Sequence, residues 1–195
     1  MKPILILLGQ SACGKSSIET YLSEHYGYNR AISYTTRPPR EGEKHKVDYY
    51  FTNKNIFTDM ILHKELIEYR SYNTLVNNIS DIWYYGLHKE INNINFAKQN
   101  ILILDYQGCL NALQYFGIDK CEVIYIDVPD NIRKERAEQR GSFDIIEWNR
   151  RCESDKKDFE WNKIKGVVNK KFFNVDKTID EICKEIVEWN LRKKN

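Results

Sequence analysis

The chain has 195 residues, 30 of them Lys or Arg and 28 Asp or Glu, for a formal charge of +2. That length suits one core domain with inserted subdomains, and so balanced a charge gives no overall field for nucleic acid or a membrane surface. The longest apolar runs are strand-sized and the first one starts almost at Met1, so neither a membrane span nor a signal peptide is predicted. The five cysteines, Cys13, Cys109, Cys121, Cys152 and Cys183, form no C-x-x-C pair and are odd in number, which predicts reduced thiols in a cytoplasmic protein.

Ile4-Leu5-Ile6-Leu7-Leu8 opens the chain as a buried parallel strand. It runs into Gly9-Gln10-Ser11-Ala12-Cys13-Gly14-Lys15-Ser16, which fills the G-x-x-x-x-G-K-[ST] pattern, and a helical stretch over 17–24 follows, ended by Gly27. Strand, glycine loop and helix start together make an anion cradle for ATP or GTP. Backbone N–H groups of Gly9, Ser11, Ala12, Cys13, Gly14, Lys15, Ser16 and Ser17 line it, Lys15 reaches the terminal phosphates, and the Ser16 hydroxyl is the candidate Mg²⁺ ligand. Cys13 counts mainly through its backbone, although a thiol beside Lys15 and a helix start is also a candidate for modification.

Polar strand-like stretches and a helix over 56–64 fill 33–87, a segment rich in tyrosine that reads as an inserted lobe. Apolar strands are predicted over 101–104 and 123–126, each followed by a helix, with a weaker fourth at Val167-Val168. Between the last two, 130–157 carries two charged helical stretches joined at Gly141-Ser142. A final amphipathic helix spans 179–191, buries Ile182, Ile186, Val187 and Trp189, and is capped by Asp176 or Thr178. This alternation predicts an α/β fold whose parallel sheet is covered on both faces and binds ligands at the carboxyl ends of its strands, where Gly9, Asp105 and Asp127 fall.

A second motif is Ser33-Tyr34-Thr35-Thr36-Arg37-Pro38-Pro39-Arg40-Glu41-Gly42-Glu43, followed by Val47-Asp48-Tyr49-Tyr50-Phe51. The diproline forbids helix and holds Arg37 and Arg40 on a stiff extended turn, a fork for a phosphate dianion. With the phosphate loop, this run resembles the guanylate kinase family of P-loop nucleoside monophosphate kinases, and the resemblance extends from the first strand to the last helix. It implies a three-layer P-loop NTPase fold with an inserted monophosphate-binding lobe and a helical lid. The implied division is a core of 1–32, 88–129 and 158–195, a lobe of 33–87 and a lid of 130–157. It further implies phosphoryl transfer from ATP, with Mg²⁺, to GMP or dGMP, by a monomer or homodimer.

Residue by residue, the resemblance assigns the acceptor phosphate to Arg37, Arg40, Tyr49 and Tyr85, and guanine to Glu68 and Ser33, with help from Asp105. A carboxylate suits guanine because N1–H and the 2-amino group both donate, whereas adenine would leave a buried charge unpaired. Arg136, Arg140 and Arg151 match the lid arginines, and Asn169, after Val167-Val168, matches an asparagine near the adenine. Three departures stand out. The connection before Tyr84-Tyr85-Gly86 is long, running from Asn73 to Trp83; Leu87 replaces the usual hydroxyl residue; and Ile103 stands at a position often acidic. Leu87 and the insertion leave open a kinase for another or modified purine monophosphate; the alternative is that the insertion restores the lost contacts through Asn77, Asn78 or Ser80. A guanylate-kinase-like binding module and a nucleotide-hydrolysing switch are the other readings.

Overall fold

Ile4–Leu8 forms β1, and all five of its side chains are wholly buried. In a computed structural model that describes residues 2–76, 79–89, 94–139 and 143–192, the chain divides into two compact units. Unit 1 comprises Met1–Arg30 and Asn95–Asn195, and unit 2 is Ala31–Ile94.

In unit 1, β1 is the middle of a five-stranded sheet. Its other strands are β2 (Asn29–Arg30), β7 (Asn100–Ile103), β8 (Cys121–Asp127) and β9 (Lys170–Phe173), in the order β2-β7-β1-β8-β9. Every pairing is parallel, with Leu7 opposite both Ile103 and Ile124. Leu5 and Leu7 face a core that also holds Ile18 and Leu22 of α1 (Lys15–Tyr26) and Ile182, Cys183 and Ile186 of α7 (Ile179–Arg192). Ile4, Ile6 and Leu8 point the other way and are just as buried, so the sheet is covered on both faces.

The remaining helices are α3 (Tyr106–Phe116), α4 (Asp130–Glu138), α5 (Ile145–Asp158) and α6 (Trp161–Ile164), with a 3-10 turn at Ile118–Lys120. The cap of α7 resolves to Thr178: Glu181 N–H donates to its hydroxyl (3.3 Å) while Thr178 N–H donates to the Glu181 carboxylate (2.7 Å), a reciprocal capping box. The last strand falls three residues beyond the sequence expectation. Val167 and Val168 finish the turn after α6, and the ladder with β8 begins at Lys170 opposite Ile124. A Lys170-Lys171 start hides an edge strand, because only Phe172 of the four residues is buried.

Unit 2 holds β3 (Tyr34–Thr35), β4 (Tyr50–Phe51), α2 (Lys54–Leu62), β5 (Leu66–Val76) and β6 (Ile79–His88), with sheet order β4-β3-β6-β5. Asn53 starts α2 by accepting from Ile56 N–H (2.9 Å). The long connection seen in the sequence is the outer half of the β5–β6 hairpin, paired from Leu66↔His88 to Val76↔Ile79; Asn77 and Asn78 lie outside the described residues. An ion pair of Lys54 with Asp81 ties this hairpin to the first turn of α2. Gly86 is required where the hairpin passes α2, since a Cβ there would lie 2.9 Å from Phe57 Cζ and 3.0 Å from the Glu68 carbonyl.

Candidate active site

The phosphate loop leaves β1 with Gly9 at φ 150° and enters α1 through Gly14 at φ 98°. A Cβ on Gly9 would lie 2.6 Å from the Ile126 carbonyl oxygen, and one on Gly14 would lie 2.7 Å from Asn174 Nδ2. Both glycines are therefore fixed by conformation and by space. Ala12 is also left-handed, at φ 62°, so the chain coils tightly before the helix. Lys15 Nζ donates to the carbonyls of Gly9 and Gln10 (3.1 Å to the latter) and lies 3.7 Å from Cys13 Sγ, which places the ammonium over the loop. Ser16 and Ser17 are exposed on the first turn of α1, whereas Cys13 is buried, with its thiol packed against Gly9. Ser11 is bound twice: its N–H donates to Asp155 Oδ2 (2.7 Å) and its carbonyl accepts from Arg133 Nη1 (2.9 Å).

Asparagine has to be reassigned around this loop. Asn169 is exposed at the head of β9, where its N–H donates to the Val123 carbonyl and its Oδ1 accepts from Val123 N–H (2.8 Å each); it extends the sheet edge by one rung. The asparagine at the loop is Asn174, one residue past the end of β9. It is buried, donates from Nδ2 to the Cys13 carbonyl (3.0 Å), and accepts at its own carbonyl from Arg136 Nη2 (2.9 Å). With β9 starting three residues later than the sequence suggests, the residue just past the strand end is Asn174 and not Asn169.

Arg136 projects from α4 toward the loop. Its Nη1 is buried without a hydrogen-bond partner among the described residues and lies 3.9 Å from the position of a Cβ on Gly14. Arg140 lies outside the described residues. Arg151 of α5 donates through Nε to Glu147 Oε1 (2.7 Å), and Arg150 makes a two-pronged pair with the same carboxylate. Burial works to raise the Glu147 pKa, but the hydrogen bonds from Arg150 and then Arg151 outweigh it and leave it below its ordinary value. Asp105 follows β7 and caps α3, accepting from Gly108 N–H (2.7 Å). Asp127, at the end of β8, is paired with Lys171 (2.6 Å).

The second cluster lies wholly in unit 2. Arg37 is only 4% exposed, and its N–H donates to Thr35 Oγ1 (3.1 Å). Its guanidinium donates from Nη2 to Glu43 Oε1 (2.9 Å) and from Nη1 to the Pro38 carbonyl (2.7 Å), and lies 5.4 Å from the ring centre of Tyr49. Tyr49 and Tyr85 meet edge to face at 6.0 Å, and Tyr72 also meets Tyr85 edge to face at 5.7 Å. Burial opposes the Arg37 charge, but the Glu43 hydrogen bond and the nearby phenols of Tyr85 and Tyr49 outweigh it and raise the pKa. The other Glu43 oxygen, Oε2, accepts from Arg40 N–H (2.7 Å), while the Arg40 side chain remains 38% exposed. Glu43, part of the same sequence motif, is the brace that sets Arg37 and the Arg40 backbone. Further along, Glu68 is buried on β5 beside a register irregularity and stands opposite Leu87, itself 1% exposed, so both side chains share one face. The half-buried Ser33 accepts at its carbonyl from Tyr50 N–H (2.9 Å).

A parallel sheet whose first strand turns through such a glycine loop into a helix defines a P-loop fold. Comparison with solved structures gives the same fold. The crystal structure of guanylate kinase from Anaplasma phagocytophilum superposes with TM-score 0.63 at 22% identity, over 98% of this chain and 85% of that one. Shikimate kinase from Acinetobacter baumannii in complex with shikimate superposes with TM-score 0.51 at 11% identity, over 98% and 94%. The family model described as guanylate kinase matches residues 1–189, and the chain belongs to the guanylate kinase family. Relatives named guanylate kinase include those of Lactobacillus delbrueckii subsp. bulgaricus, 27% identical over 95% of this chain and 97% of the relative, and of Mycoplasmoides gallisepticum, 29% identical over 96% and 93%.

Proposed function

We propose that this chain transfers the γ-phosphoryl group of ATP to GMP, and to dGMP as a second acceptor, giving ADP and the nucleoside diphosphate. The observation that carries the acceptor half is the buried Arg37, whose guanidinium is braced by Glu43 and faces the ring of Tyr49, which in turn meets Tyr85. Arg40 adds a second guanidinium to the acceptor phosphate. Glu68 receives guanine N1–H and the 2-amino group, with Ser33 near O6 and Asp105 assisting. In the donor half, residues 9–17 cradle the triphosphate, Lys15 and Arg136 neutralise charge on the transferring group, and Arg140 and Arg151 join them from the lid. Asn174 replaces Asn169 as the asparagine of the nucleotide site.

The acceptor phosphate has a second pKa near ~6 and is largely ionised at neutral pH, so no general base is needed. Catalysis is therefore alignment, charge neutralisation and exclusion of water. Among the described residues no group of three His, Cys, Asp or Glu could form a protein cage for a metal. That suits Mg²⁺, which keeps waters and binds through one or two protein oxygens plus substrate phosphates; the exposed Ser16 hydroxyl at the loop's end is the ligand that fits. Bound there, the ion would neutralise charge on the triphosphate.

The assignment of 33–87 as monophosphate lobe and 130–157 as lid belongs to the same proposal, as do a monomeric or homodimeric state and a cytoplasmic location. The location is supported by five cysteines that are all free. Among the described residues no helix is long and apolar enough to cross a membrane. Calorimetric titration of GMP into the wild-type protein and an Arg37→Met variant tests the acceptor site. Saturable GMP binding that the variant loses supports it, and equal binding by both removes Arg37 from the site.

A further inference from the structure

We propose that Arg133 and Asp155 are positioning residues for nucleotide binding, which hold the Ser11 peptide of the phosphate loop and so tie the loop's shape to helices α4 and α5. The inference rests on the loop being the ATP site. Arg133 is 1% exposed although it lies on a helix otherwise rich in solvated charge, Asp130-Asn131-Ile132-Arg133-Lys134-Glu135. It reaches inward: Nη1 donates to the Ser11 carbonyl (2.9 Å) and lies 3.6 Å from Asp155 Oδ2, while Nη2 donates to Asp130 Oδ1 (2.8 Å). Asp155, on α5, uses that same Oδ2 to accept from Ser11 N–H (2.7 Å). Trp148 of α5 closes over the guanidinium, with its ring centre 5.6 Å from Cζ.

Both backbone polar groups of one loop residue are thus taken by side chains from two different helices. Stability alone does not call for this. A buried ion pair contributes little net over apolar residues of the same volume, because desolvation of the two charges offsets their attraction. What the pair adds is orientation: it fixes the Ser11 peptide plane and hence the direction from which Ala12, Cys13 and Gly14 turn their N–H groups. It also keeps a carboxylate that would repel phosphate neutralised. Burial opposes the Arg133 charge, but the Asp130 hydrogen bond and the charges of Asp130 and Asp155 outweigh it, so Arg133 stays cationic.

Calorimetric titration of ADP, with no acceptor present, into wild type, Asp155→Asn, Arg133→Met and the double variant tests the proposal, with GMP titration and thermal unfolding run on each. Asp155→Asn keeps the volume but loses the charged acceptor for Ser11 N–H, and ADP binding is expected to weaken about tenfold. Arg133→Met leaves the carboxylate uncompensated beside the loop and weakens ADP further. The double variant recovers part of that loss, and GMP binding stays within about twofold of wild type throughout. Folded variants that bind ADP within about twofold of wild type overturn the proposal, as does an equal loss for ADP and GMP. Should Arg133→Met not fold, Asp155→Asn with wild-type ADP affinity is sufficient to overturn it. A wild-type protein that binds no ADP instead removes the donor-site reading on which the inference stands.

Discussion

Replacing Glu43 by Gln probes the acceptor site without touching any group assigned to substrate. In the native protein Oε1 accepts from Arg37 Nη2 at 2.9 Å and Oε2 accepts from Arg40 N–H at 2.7 Å. Glutamine keeps the shape but offers only one accepting oxygen, and its NH₂ then faces a donor. One charge-assisted hydrogen bond is lost, about 1.5–3 kcal/mol, next to a guanidinium that is almost wholly buried. A destabilisation of about 2 kcal/mol follows, or about 4–8 °C in Tm for a chain of this length. Because Arg37 is released from its brace, KM for GMP is expected to rise about tenfold or more while KM for ATP is unchanged.

The same substitution carries a pH signature. Burial works to raise the Glu43 pKa, but the hydrogen bonds from Arg37 and the Arg40 backbone overcome it and leave it below the ordinary carboxylate value. A depressed folded pKa gives stability that is present above the unfolded pKa and is lost as pH falls through the folded one. Wild type should therefore lose part of its margin over Glu43→Gln between roughly pH 5 and pH 3. Thermal unfolding at pH 7 and at the acid end, with steady-state kinetics at pH 7, reads both effects. A variant with wild-type Tm and wild-type KM for GMP would refute the brace.

Two further outcomes separate neighbouring residues. Asn174→Ala removes the donor to the Cys13 carbonyl and is expected to raise KM for ATP several-fold, whereas Asn169→Ala, which loses only one rung at the sheet edge, should leave both KM values unchanged; steady-state kinetics on the pair decides. Leu87→Ser replaces a buried isobutyl group and should destabilise by about 2–5 kcal/mol, read by denaturant unfolding, with a change in GMP binding and none in ADP binding, since Leu87 stands opposite Glu68.

The parts of this architecture that were legible in the sequence are those written locally. The phosphate loop and the Arg-Pro-Pro-Arg turn are short, and their chemistry depends on residues adjacent in the chain; β1 is a continuous apolar run, and β7 and β8 each contain one. Edges and partners were harder to see. Val167-Val168 looks more like a strand than Lys170-Lys171-Phe172-Phe173, so the sequence places the strand three residues early and points to Asn169 as the residue after it. The segment from Asn73 to Trp83 read as a long connection because its polar and apolar residues alternate only loosely, and its pairing depends on contacts along the whole hairpin. Arg133 is hard to read from sequence because an arginine in a charged helix looks solvated; only tertiary packing shows that it points inward. Glu43 lacked a role because its partner Arg37 is brought back to it by the turn at Gly42 (φ 83°).

The central claim, phosphoryl transfer from ATP to GMP, is tested most directly by Mg²⁺-dependent ADP formation with GMP, dGMP, AMP, CMP, UMP and no acceptor in parallel, with Lys15→Ala as the blank. The account expects turnover with GMP, followed by dGMP, far above the other acceptors, and none with the blank. ADP formation that is equal with and without acceptor, or greatest with AMP, CMP or UMP, would contradict it.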